Sequence, residues 1–286
     1  MKNTVLLAAS LALAVASARA QDATFTRSLH VSSAPTITVH TGSGSIRVHR
    51  GGDNEVHIEG HVHASGGWLF GTAADSADRA RQIAHDPPIV QSGDTVLIGD
   101  QHNNSLFRNI SVDYDLTVPA NSTLNAGSGS GDITTDGIGA SLRASSGSGS
   151  IRARDVHGPA FLQTGSGDIE LHQTGMGEVR AQTGSGSIRL TGISGALHAS
   201  TGSGDIEVAG QPTEEWRLDT GSGTQRVTLA VGSPCSLDAE TGSGSVQITL
   251  PHTDQSGSNR HHTLAAINGG GALIKARTGS GDIQVR

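Results

Sequence analysis

Several residue sets in this 286-residue sequence have types and spacings that could do chemistry. His61 and His63 fall on one face of an alternating segment and His261 and His262 are adjacent, so each pair offers two imidazoles to a transition metal, short of a closed site. Asp113, Asp115, Asp136 and Asp155 could supply the acid and base of a polysaccharide-processing β-helix enzyme if folding gathered two of them in one groove. Asp168 and Asp205 each follow a Gly-Ser-Gly, inviting comparison with calcium-binding β-rolls. Thr41, Thr164, Thr183, Thr201, Thr220, Thr241 and Thr278 each precede a glycine turn, a column that could face ice or glycan. Cys235 is the single thiol.

Each set also has a plainer reading. Two histidines in a polar context are ordinary solvated side chains, and a lone cysteine is ordinarily a small buried residue. Calcium rolls place their aspartate two positions after the last glycine of Gly-Gly-x-Gly-x-Asp, whereas here it follows the second glycine directly and alternate repeats lack it, so no regular carboxylate cage is expected. Glycine-rich loops cradle phosphate where a strand meets a helix, but these connect strand to strand. The threonines are expected to hydrogen-bond the backbone of a neighbouring coil. No catalytic, cofactor-binding or metal-binding residue is therefore assigned, and no cofactor is expected. A polysaccharide-processing enzyme and a calcium-stabilised β-roll stand as alternatives.

The elements that position these residues begin after a segment with the marks of a signal peptide. Lys2, the apolar run Val5 to Val15 and the small-x-small Ala18-Arg19-Ala20 predict cleavage near Ala20 over residues 1–20, hence a periplasmic, secreted or cell-surface location. Cleavage removes Lys2 and Arg19 and no acid, moving the formal charge from −7 to −9, which argues against a nucleic-acid partner. No later stretch approaches the length of a transmembrane helix. Aromatics make up 2% of residues against 40 glycines, so a conventional globular core of large side chains is not expected.

The glycines are spaced. Gly-x-Gly recurs with first glycines at Gly129, Gly147, Gly165, Gly184, Gly202, Gly221 and Gly242, and again at Gly279; the second glycines are Gly131, Gly149, Gly167, Gly186, Gly204, Gly223, Gly244 and Gly281. The usual step is 18 or 19 residues. An apolar pair such as Leu142/Ala144 or Val179/Ala181 precedes each corner, and an alternating strand such as Ile188-Arg189-Leu190 follows most of them. Units with two short strands cannot bury an apolar face alone, but stacking them makes a continuous thin core. The reading is all-β, a single-stranded parallel β-solenoid (β-helix-like) with Gly-Ser-Gly corners.

The outward residues test that register, because stacked like charges repel. After the corners the order is Arg152, Glu170, Arg189, Glu207, Arg226, Gln247, and directly after the second glycine it is Ser150, Asp168, Ser187, Asp205, Thr224, Ser245. Residues 21–286 are expected to form one solenoid domain. Its lead coil contains Thr41-Gly42-Ser43-Gly44, and residues 53–110 are expected as an irregular cap or insertion, with a segment around Trp68 and Phe70 and a short helix from Asp75 to His85 stopped by Pro87-Pro88. Regular repeats follow over 124–286, interrupted by a polar loop at 251–263. The chain stops inside a repeat at Asp282 to Arg286, so the last coil is expected to leave an edge guarded by charge at most.

An export signal, a lead coil, a Tyr-containing strand ending in Val118-Pro119 and tandem Gly-Ser-Gly-Asp-Ile or Gly-Ser-Gly-Ser-Ile units together resemble the bacterial "putative adhesin" or toastrack family of β-strand-repeat envelope proteins. The resemblance covers nearly all of the chain after the signal. It implies a role at the cell envelope, otherwise undefined, and carries no catalytic residues. The export signal and a repetitive core without a convergent polar site give the expectation of a non-catalytic adhesin or envelope scaffold that binds an envelope protein or glycan.

Overall fold

The computed structural model describes residues 22–64, 73–99, 106–254, 259 and 261–286. The expected signal and the segment around Trp68 and Phe70 lie outside the described residues. Each coil crosses from one sheet to the other at its Gly-Ser-Gly corner. Strands preceding the corners form a thirteen-stranded sheet, and strands following them form a twelve-stranded sheet. Within the repeats the strands are parallel and equivalent positions pair one to one: Val179 lies between Ala160 and Leu197, and Ile188 between Ile169 and Ile206.

This register follows from the period-two pattern. In the strand Ile188–Ser194 the side chains of Ile188 and Leu190 are buried while Arg189 is exposed, and in Val179–Thr183 Val179 and Ala181 are buried while Arg180 and Gln182 are exposed. Stacked alanines such as Ala144, Ala181 and Ala199 keep the interior narrow, and stacked isoleucines fill the opposite sheet. Burying one isoleucine contributes about 1.5–3 kcal/mol, so ladders of them provide a large share of the stabilisation. Trp216 is the exception in size, and its indole Nε1 donates to the Gly195 carbonyl at 2.9 Å, satisfying its buried polar group.

At the N-terminal end the lead coil pairs directly with the coil of Gly129, Ile37 beside Leu124 and Ile46 beside Ile133. Beyond it the pattern changes. The Tyr114 strand Ile110–Val118 continues the post-corner sheet in parallel, then Glu55–Ala64 and Ala23–His30 add to it antiparallel. The helix spans Ala73–His85, two residues longer at its start than expected, and contributes Ala80 and Ile83 to the core. The hairpin of Ile89–Ser92 and Thr95–Ile98 ends the pre-corner sheet.

The C-terminal end departs from the order read in the sequence. Strand Ala272–Ser280 lies between Trp216–Ser222 and Cys235–Ser243, and Ile283–Val285 lies between Gln225–Leu229 and Val246–Ile248. The coil of Gly279 is therefore inserted between those of Gly221 and Gly242, and the neighbour of Arg226 is Gln284 rather than Gln247. The expectation of a final coil with an exposed edge is corrected: Ile283 and Val285 are buried between two strands. The stretch expected as a polar loop over 251–263 contains strand at His252–Asp254 and the start of His262–Ile267, antiparallel additions beyond the coil of Gly242. The physical reason is the corner alternation. Thr224 beside Ser245 would break it, whereas Asp282 between them restores it.

An end deletion on a solenoid removes an end coil, but here it removes an internal one. Deleting residues 272–286 is expected to abolish hydrogen-exchange protection of the amides of 235–250 while those of the coils from Gly147 to Gly202 stay protected. Unchanged protection of 235–250 in the truncated chain would refute the internal placement.

Candidate functional site

The corner column was the most conspicuous candidate, and its chemistry is consumed internally. The Thr183 hydroxyl donates to the Gly167 carbonyl of the preceding coil at 2.9 Å and accepts from the Gly186 amide of its own corner at 3.2 Å. The same donation to a neighbouring layer is made by Thr41, Ser128, Ser146, Thr164, Thr201, Thr220, Thr278 and Thr241, at distances of 2.8 to 3.1 Å. Thr183, Thr201 and Thr278 are buried, so these hydroxyls offer no open surface to a ligand. Close approach explains the second glycine: a Cβ on Gly186 would collide with the carbonyl of Gly167.

Directly after the corners a second ladder runs through ten layers: Asp113, Ser45, Asp132, Ser150, Asp168, Ser187, Asp205, Thr224, Asp282, Ser245. Each aspartate Oδ1 accepts the amide of the adjacent serine or threonine, at 2.6 Å for Ser45 and 2.8 Å for Ser150, Ser187, Thr224 and Ser245. One carboxylate oxygen per aspartate is thus committed to structure, and the carboxylates stand two layers apart. Beyond this ladder the exposed charges alternate as read, with Arg189 to Glu207 at 2.9 Å and Arg226 to Glu207 at 3.2 Å. Exposed pairs of this kind contribute only a few tenths of a kcal/mol each.

Of the four candidate acids, Asp113 and Asp115 lie apart from the other two, while Asp136 and Asp155 share one groove. Asp113 is held by the Ser45 amide and hydroxyl and by His63 Nε2 at 3.1 Å. Asp115 stands level with Arg47 on the same outer face. Asp136 and Asp155 line a shallow groove at the far end of the post-corner strands, together with His49, Arg50, His157 and Thr174. Asp155 is exposed, adopts a left-handed backbone (φ 51°) at a bulge, and lies 3.4 Å from His172 Nδ1. His61 is exposed opposite Asp113, and His262 Nε2 meets Asp238 at 2.9 Å. Among the described residues no three His, Cys, Asp or Glu are placed to hold a metal ion. Cys235 is fully buried, and burial pushes its thiol up to about 11.

His63 also bonds Asp22 through Nδ1 at 3.0 Å, tying the first described residue to the Tyr114 strand. Burial alone would lower the His63 pKa, but the two carboxylates outweigh it and raise it; burial would raise that of Asp113, but Ser45 and His63 lower it.

Sequence reasoning missed one cluster. On the outer face of the pre-corner sheet, Phe161 lies between Arg143, whose guanidinium carbon is 5.0 Å from the ring centroid, and Arg180 at 5.9 Å. The available signal was a phenylalanine at an outward position, Phe161 between the inward Ala160 and Leu162.

Residues 76–286 match the model of the family described as Toastrack DUF4097. The chain belongs to the toastrack DUF4097 family. No curated protein matches it. Solved structures similar to this toastrack chain include a "putative adhesin" from Bacteroides fragilis, 14% identical with a TM-score of 0.45, covering 92% of this chain and 97% of that one. Others are a "putative cell adhesion protein" from Clostridium sporogenes, 11% identical, TM-score 0.32, covering 93% and 99%, and a "putative lipid binding protein" from Parabacteroides distasonis, 12% identical, TM-score 0.30, covering 92% and 97%.

Two outcomes follow for the toastrack corners and the N-terminal tie. Thr183→Val is expected to lower stability by about 1–3 kcal/mol in urea unfolding, because it strands a buried carbonyl and a buried amide, whereas Thr183→Ser retains most of it. For His63, a raised pKa means its contribution is complete below the unfolded value of about 6.5 and is lost as pH rises through the folded value. The lowered Asp113 value means stability present above about 4 and lost as pH falls further. The margin in melting temperature of the parent over His63→Gln is therefore expected to shrink between pH 6 and 8; His40, whose pKa burial lowers, acts in the opposite sense in both proteins and cancels in the difference.

Proposed function

We propose that this toastrack chain is an exported, non-catalytic envelope protein that binds another envelope component, protein or glycan, along a coil face. The observation that carries this reading is the fate of the reactive groups. The corner hydroxyls bond the backbone within the stack, the ladder aspartates cap neighbouring amides, Asp115 stands apart beside Arg47, and the two acids that do share a groove, Asp136 and Asp155, line a shallow one. What the solenoid leaves open is long, nearly flat and repetitive, which suits contact with an extended partner and not enclosure of a substrate.

Residues 1–20 supply the export half of the proposal: a basic start, an apolar run too short to span a bilayer, and a small-x-small site. Among the described residues no helix is long and apolar enough to cross a membrane. In the native host the protein is expected in the envelope or medium with Gln21 as its first residue, read by amino-terminal sequencing of the fractionated protein. Purified chain incubated with polysaccharide and peptide panels is expected to release no new reducing ends or amino termini. Turnover on either panel, abolished by Asp136→Asn or Asp155→Asn, would establish the enzymatic alternative instead.

A further inference from the structure

On the post-corner sheet, opposite charges stack in the outward column beyond the corner ladder. The post-corner face reads Arg152, Glu170, Arg189, Glu207, Arg226 from layer to layer, with ion pairs between neighbours. One stripe breaks that rule. On the pre-corner face the paired positions run Asn125, Arg143, Phe161, Arg180, His198, Arg217, Lys275, seven layers without a carboxylate. Arg217 and Lys275 are both answered from the flank by Glu215, at 3.0 and 3.2 Å, and Arg180 by Glu178 at 2.6 Å. Arg143 has no carboxylate partner among the described residues; its contact is the ring of Phe161.

Two cations two layers apart stand about 9.6 Å from one another at the usual strand spacing, and Phe161 fills the space between them. Guanidinium groups within about 6 Å of a ring are attracted by its quadrupole, so the ring fixes both side chains over the sheet. The groove at this point is completed by Ser145, Gln163 and Gln182 in the adjacent column, all exposed. Their hydroxyl and amides can each donate and accept, as a field of sugar hydroxyls requires. Guanidinium is the group that meets a carboxylate with two parallel hydrogen bonds. The layers repeat at about 4.8 Å, which presents these groups as a regular row to a regular polymer lying along the stack.

We infer that Arg143, Phe161 and Arg180, with Ser145, Gln163 and Gln182, form a binding site for a linear acidic polysaccharide whose sugar carboxylates are taken by Arg143 and, beside it, by the Nη groups of Arg180, whose Nε is bonded to Glu178. This rests on the binding-protein reading above and names the partner class. The chain is acidic overall, at −7, so the basic stripe is a local feature and confines such a polymer to this face. An acidic peptide would satisfy the arginines but leave the amide row without the hydroxyls that match it.

Calorimetric titration of the full chain with polygalacturonate tests the site, with neutral dextran and polyglutamate as comparators. Saturable binding of polygalacturonate is expected, weakened about tenfold or more in Arg143→Ala and abolished in Arg143→Glu. Arg189→Ala, on the opposite sheet, is expected to leave it unchanged. Since Arg143 is exposed, these variants leave the buried register intact. Absence of saturable binding, equal affinity for polyglutamate, or equal weakening by Arg189→Ala would overturn the inference. Attachment to native envelope fractions that survives Arg143→Glu would overturn it while leaving the envelope-binding proposal standing. Arg143-dependent binding accompanied by shortening of the polymer would sustain the site and overturn the non-catalytic reading.

Discussion

The structure depends on one constraint: each coil must turn inside the footprint of the coil beneath it. At that corner the backbone of adjacent layers comes so close that the carbonyl of Gly167 occupies the place a Cβ on Gly186 would take. The hydroxyl of Thr183 then bridges the two layers, bonding the carbonyl below and the amide of its own turn. Glycine and a small hydroxyl residue are thus required together, one to permit the approach and the other to satisfy the polar groups that the approach buries. Once the corners are superimposed the flanking strands have no freedom of register, because a shift of one residue would turn Val179 and Ala181 outward and Arg180 inward.

That constraint separates what was legible in the sequence from what was not. Coil length, inward residues and the direction of the strands follow from spacing alone, since periodicity records geometry that every repeat shares. Neighbour order is different. Gly242 follows Gly221 in the chain, and nothing in the local pattern of either coil says that Gly279 lies between them. The decisive residue is Asp282, which completes an alternation of aspartate with serine or threonine that adjacent Thr224 and Ser245 would have broken. The end structures were less legible still, because Glu55–Ala64 and His262–Ile267 pair antiparallel and share no corner with the repeats.

The candidate site was harder to read for a related reason. Sequence motifs drew attention to glycine, aspartate and threonine, which the solenoid absorbs into its frame. Side chains free to act are those at outward positions, where the repeat imposes no identity. Arg143, Phe161 and Arg180 lie far apart along the chain and form a group only when three coils are superimposed. Their meaning rests on contrast with the alternating charges of the opposite sheet, a comparison that requires the stacking order first.

The inserted C-terminal coil has a consequence for the order in which the molecule can be assembled. A solenoid that adds coils in chain order can consolidate each layer on the one before, from the first residues synthesised to the last. Here the coil of Gly221 has no permanent neighbour on its far side until residues 272–286 arrive, and the coil of Gly242 must wait unseated, held by its linker, for the same event. Completion of the stack therefore requires residues 272–286. The coil of Gly279 acts as a keystone, closing a gap between two coils made before it.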